Sequence, residues 1–73
     1  MKKVFKMLDL DCANCAAKME NEIRKIDGVT DVNISFLAQK MTLEADDARF
    51  DEIAEQAAKV CKRVDDDCEV VLK

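Results

Sequence analysis

A chain of 73 residues has room for one thin core, since a protein of this size hides only about 60% of the surface its unfolded chain exposes. Only three residues are aromatic, so that core must be built from Val, Ile, Leu, Met and Ala, and a deep enzymatic pocket is not expected. The net charge of −4, with 12 basic residues interspersed among 16 acids, argues against nucleic acid, because displacing counterions from phosphates needs a basic face; an acidic domain draws cations or basic surfaces instead.

No apolar run approaches the roughly 20 residues needed to insert into a membrane. Met1-Lys2-Lys3 leads into Val4-Phe5-Lys6, not into the long apolar core of a signal peptide. The expectation is a soluble chain in a reducing cytoplasm, where a Cys-x-x-Cys pair among four cysteines stands ready for metal or redox chemistry rather than for a disulfide framework.

In chain order, Lys3 to Leu10 mixes apolar and charged residues with Phe5 and Met7 on one face, which predicts a strand. From Ala13 to Ile26 the apolar positions Ala16, Met19, Ile23 and Ile26 recur at helical spacing, and Gly28 follows where a left-handed residue would close the helix. Val29 to Phe36 alternates through Val32, Ile34 and Phe36, and Lys40 to Ala45 through Met41, Leu43 and Ala45, which predicts a hairpin. Asp46 and Asp47 offer a cap for a second helix whose buried stripe is Phe50, Ile53, Ala54, Ala57 and Val60. Glu20 with Arg24 and Glu55 with Lys59 are spaced for surface ion pairs on the two helices. After the acidic run Asp65 to Asp67, Cys68 to Leu72 predicts a last strand with Cys68, Val70 and Leu72 on one face. The order βαββαβ predicts an α+β ferredoxin-like sandwich: a four-stranded antiparallel sheet with two helices on one face, forming a single domain over residues 1–73.

The chemistry lies where the first strand gives way to the first helix. Cys12 and Cys15, three apart on a turn, can aim both sulfurs at one point, and the free N–H groups of a helix start favour the thiolate form that binds metal. Thiolates suit copper(I), zinc, cadmium, lead or mercury and disfavour magnesium or calcium. A dithiol oxidoreductase would place its cysteines at a similar turn. Its usual aromatic before the motif and opposing cis-proline have no counterpart in a chain with no Trp and no Pro. A pure interaction module, with the two cysteines packed as small apolar residues, is the remaining alternative.

The segment Asp11-Cys12-Ala13-Asn14-Cys15, the following Ala16-Ala17-Lys18-Met19-Glu20, the Gly28-Val29 junction and the βαββαβ order resemble the heavy-metal-associated domain. Such domains occur at the cytoplasmic N-terminus of metal-pumping P-type ATPases and as small metallochaperones. The copper branch of that family reads Gly-Met-x-Cys-x-x-Cys. Here Asp11 stands directly before Cys12, so the resemblance implies the zinc, cadmium and lead branch, with Asp11 as a third ligand. A hard carboxylate suits a divalent borderline ion and adds little to copper(I), which is content with two thiolates. The competing role for Asp11 is a helix N-cap.

The topology also carries the link from Lys62 to Asp67 beside this turn, so Cys61 and Cys68 are core residues, further ligands, or a pair able to form a disulfide. With no His in the chain, a fourth protein ligand must be such a cysteine, an acid or a backbone oxygen. The expected function is capture and transfer of a zinc, cadmium or lead ion by a non-catalytic domain. The resemblance implies the transmembrane and catalytic parts of a P-type ATPase as partner, at the cytoplasmic face of the membrane. A free-standing copper(I) chaperone is the alternative, and two such turns could share an ion across a dimer.

Overall fold

Strand alternation and helical periodicity in this chain demand a two-layer packing, and the computed structural model, which describes residues 1–72, has it. The elements β1 (Lys2–Leu8), α1 (Ala13–Arg24), β2 (Val29–Ser35), β3 (Lys40–Ala45), α2 (Phe50–Val64) and β4 (Glu69–Val71) follow in the predicted order. The strands pair antiparallel in the order β2-β3-β1-β4. Phe5 lies opposite Met41, Val32 opposite Leu43, and Met7 opposite Val70, so one face of the sheet is apolar throughout. Ala16, Met19 and Ile23 of α1 and Phe50, Ile53, Ala54, Ala57, Val60 and Cys61 of α2 close over that face in one continuous core. Each large side chain fully buried there contributes roughly 1.5–3 kcal/mol. The opposite face stays wet, with Val4 and Leu8 exposed on it.

Several boundaries differ from the sequence reading. β1 ends at Leu8 because Asp9 adopts a left-handed conformation with φ of 59°. α1 ends at Arg24, where Lys25 N–H turns back to Glu22 O at 3.2 Å and Ile26 N–H to Ile23 O at 3.0 Å. Gly28 therefore does not close the helix itself; it sits in the turn whose Val29 N–H reaches Ile26 O at 3.1 Å. Asp46 caps a short 3-10 turn over Asp47–Arg49 through Ala48 N–H at 3.1 Å, and α2 starts only at Phe50. β4 is shorter than predicted: Cys68 is buried and Val70 half-buried, but Leu72 is exposed beyond the last paired residue.

The Glu20–Arg24 pair forms at 3.1 Å and reaches further than a surface contact. Glu20 Oε2 accepts the Ile34 N–H at 3.1 Å and Arg24 donates to Val32 O at 3.0 Å, so the two side chains occupy backbone groups that edge strand β2 would otherwise leave open. The expected Glu55–Lys59 pair is absent from the ion pairs of the described residues.

Gly28 has φ of +98°, and a Cβ added there would meet Ile53 Cδ1 at 2.7 Å. Gly28→Ala is expected to cost about 2 kcal/mol of unfolding free energy, from the left-handed backbone and the displaced isoleucine together. Urea denaturation of the two proteins checks it; an unchanged midpoint would show that the turn relaxes freely.

Candidate metal centre

The bend at Asp9 directs the chain out of the sheet and into the turn that carries both cysteines of the motif. Leu10 is buried as an anchor, while Asp11, Ala13 and Asn14 are exposed and Cys12 and Cys15 half-buried. Cys12 is the N-cap of α1, with φ −133° and ψ 112°. Its Sγ accepts the Cys15 N–H at 3.2 Å, and its carbonyl accepts the Ala16 N–H at 3.1 Å. The first helical turn is thereby wrapped around a sulfur, which places the second cysteine next to the first.

This geometry splits the acidity of the two thiols. Hydrogen bonds from the Cys15 side chain, then from the Cys15 and Asn14 backbones, hold Cys12 below the ordinary thiol range, against the nearby charge of Asp65. Cys15 is pushed up to about 11, first because its own S–H serves Cys12 and next because it is partly desolvated; Lys18 pulls weakly the other way. In the metal-free protein Cys12 is therefore the more acidic of the two thiols, with the Cys15 S–H donating to it.

The capping role considered for Asp11 is taken by Cys12, and the Asp11 carboxylate enters none of the hydrogen bonds or ion pairs of the described residues. Asp11 is exposed and directly precedes Cys12 in the chain. Cys61 and Cys68 lie elsewhere, both fully buried in the core and both free thiols. Burial, with Cys68 nearby, pushes Cys61 up to about 12. Cys68 is also raised, by burial and then by the charge of Asp65. Among the described residues no three His, Cys, Asp or Glu side chains are gathered for one ion, so the structure brings together Cys12 and Cys15 and does not draw Asp11, Cys61 or Cys68 in with them.

The sequence reading carried the link from Lys62 to Asp67 beside this turn, and the residue of that link whose charge reaches the thiols is Asp65. Its carbonyl accepts Cys68 N–H at 3.0 Å, its carboxylate accepts Asp67 N–H at 3.1 Å, and its charge acts on Cys12, Cys15 and Cys68 alike. The signal for it is the antiparallel register of β1 and β4, which pairs Leu8 with Glu69 and so carries the residues before β4 back along the turn.

Cysteine reactivity follows from these environments. With substoichiometric iodoacetamide near pH 7.5, Cys12 is expected to alkylate about 10-fold faster than Cys15, because rate follows thiolate fraction, while Cys61 and Cys68 stay unmodified until the protein unfolds. Peptide mass spectrometry reads the order. Equal labelling of Cys12 and Cys61 in the folded protein would contradict it.

The family model for the heavy-metal-associated domain matches residues 4–63. The chain is 31% identical over 65 residues to a cadmium, zinc and cobalt-transporting ATPase of Bacillus subtilis (strain 168), a match that covers 89% of this chain and 9% of that protein. It is 27% identical over 66 residues to the copper chaperone CopZ of Enterococcus hirae, covering 90% of this chain and 88% of that one. The fold matches a solved CopZ metallochaperone with a TM-score of 0.77 at 20% identity, over 97% of this chain and all of the other. On the strength of the paired thiols, the sandwich that presents them and the family match, this chain belongs to the heavy-metal-associated domain family.

Proposed function

We propose that this domain captures a divalent borderline ion, zinc, cadmium or lead, on the thiolates of Cys12 and Cys15 with the Asp11 carboxylate as third ligand. It then passes the ion on by ligand exchange, as the N-terminal domain of a metal-exporting P-type ATPase at the cytoplasmic face of the membrane. The observation that carries this reading is that Asp11, directly before Cys12 in the chain, is exposed and free of capping duty beside a half-buried thiol pair in the same turn, so that its carboxylate could turn to an ion held there. Two thiolates offset the charge of a 2+ ion, and a carboxylate as third ligand leaves one position of a four-coordinate ion open, which suits an ion that must later be released. Exchange also needs an incoming ligand to arrive before an outgoing one leaves, and a surface turn gives it access. The domain itself is not catalytic; ATP hydrolysis would belong to the rest of a pump of which it spans about a tenth, as it does in the Bacillus ATPase. No helix of the described residues is long and apolar enough to cross a membrane, so the membrane-spanning part would also lie elsewhere.

In this reading Cys61 and Cys68 are packing residues, supported by their full burial and raised pKa. Sulfur from either would require the link around Asp65 to open. A second reading, copper(I) delivery by a free-standing chaperone, is favoured by the near-complete mutual coverage with CopZ of Enterococcus hirae.

One competition titration separates the two. Asp11→Ala is expected to weaken cadmium and zinc binding about 10- to 100-fold, the loss typical of removing a supporting group from a metal site, and to leave copper(I) affinity within about 2-fold. The double variant Cys12→Ala with Cys15→Ala should bind neither. Unchanged cadmium affinity in Asp11→Ala would remove the divalent assignment and leave the copper reading standing.

A further inference from the structure

Left-handed backbone is uncommon for residues other than glycine and persists where the surroundings over-determine it. Among the described residues, the non-glycine cases are Asp9, with φ of 59°, and Gln39, with φ of 55°. They meet at the base of the metal turn. Asp9 breaks the β1 ladder, and Gln39, at the end of the turn joining β2 to β3, repairs it from the other side. The Gln39 carbonyl accepts the Met7 N–H at 2.8 Å. Beyond the bend, its side chain takes over: Oε1 accepts the Leu10 N–H at 3.0 Å, while Nε2 donates to the Leu10 carbonyl and, at 2.8 Å, to the Phe36 carbonyl.

Leu10 is 2% exposed, so its polar backbone groups have little recourse to water. A carboxamide is the neutral side chain that offers an acceptor and donors matching the N–H and C=O of one residue, and here it fixes both peptide planes that flank Leu10. The next residues are Asp11 and Cys12. We propose that Gln39 is a positioning residue for metal binding: from the hairpin it locks the backbone of Leu10 and thereby sets where Asp11 and Cys12 present their ligand atoms. This rests on the reading that the ion binds at Asp11, Cys12 and Cys15. It assigns part of the site's geometry to a residue more than twenty positions away in sequence, with no ligand atom of its own.

The test uses Gln39→Gly, which removes the carboxamide yet suits the left-handed backbone, so loss of the clamp is separated from backbone strain. Gln39→Glu keeps the size and the acceptor for Leu10 N–H but not the two donors, and serves if the glycine variant does not fold. In the metal-free protein, amide exchange at Leu10 is expected to quicken about 10-fold relative to Phe5 in the middle of β1. Cadmium affinity by chelator competition is expected to fall about 10- to 100-fold, with a displaced or broadened cadmium-113 resonance. Lower thermal stability combined with wild-type cadmium affinity and an unmoved resonance would make Gln39 a fold residue alone and overturn the assignment. A wild-type protein that takes up no cadmium would overturn the metal reading first, which is a different result from a wild type that binds and a variant that binds equally well.

Discussion

The N–H of Cys15 points at Sγ of Cys12 from 3.2 Å, in the place where most helices would receive an oxygen cap, and the rest of the site is arranged around that contact. Sulfur is a weaker acceptor than oxygen, but as a thiolate it gains from the positive end of the helix and from the neighbouring S–H. One hydrogen bond thus starts α1 and brings the second cysteine to the first, and the Cys15 S–H together with this N–H lowers the pKa of the Cys12 thiol. Because the cap is a sulfur, Asp11 is free of the role that its residue type would ordinarily fill.

The same chain holds two thiol pairs in opposite conditions. Cys12 and Cys15 lie half-buried on a turn between sheet and helix, with acids and a lysine within electrostatic reach. Cys61 and Cys68 lie under α2 and beside β4 with no exposure, where ionisation would place a charge in an apolar interior. Only the first pair can trade a proton for a metal at neutral pH without opening the fold. The charge of Asp65 discourages further negative charge on Cys12, Cys15 and Cys68.

Likeness at about 20% identity to a solved copper metallochaperone speaks for the sandwich and leaves the ion open, because the fold is a scaffold that presents a turn. The identity of the ion depends on what the turn adds to two sulfurs. In the proposed reading the addition is the Asp11 carboxylate, which follows Leu10, and the backbone of Leu10 is held from a distant hairpin.

Element order, the buried faces of both helices, and Cys12 with Cys15 as the thiol pair were all readable in the sequence, because each depends on local periodicity or on spacing within one turn. The ends of elements were not. The left-handed Asp9 that stops β1 and the exposure of Leu72 go with a sheet pairing that no window of residues contains, while α1 closes early through tight local turns at Lys25 and Ile26 that leave the apolar spacing unchanged. Sequence alone also left Asp11 divided between ligand and cap, and left Cys61 and Cys68 divided among core, ligand and disulfide. The three-dimensional arrangement gave the cap to Cys12 and buried the other two thiols. It also placed Gln39 beside the turn, since only the antiparallel return of the chain brings a residue so far away in sequence against the peptide groups of Leu10.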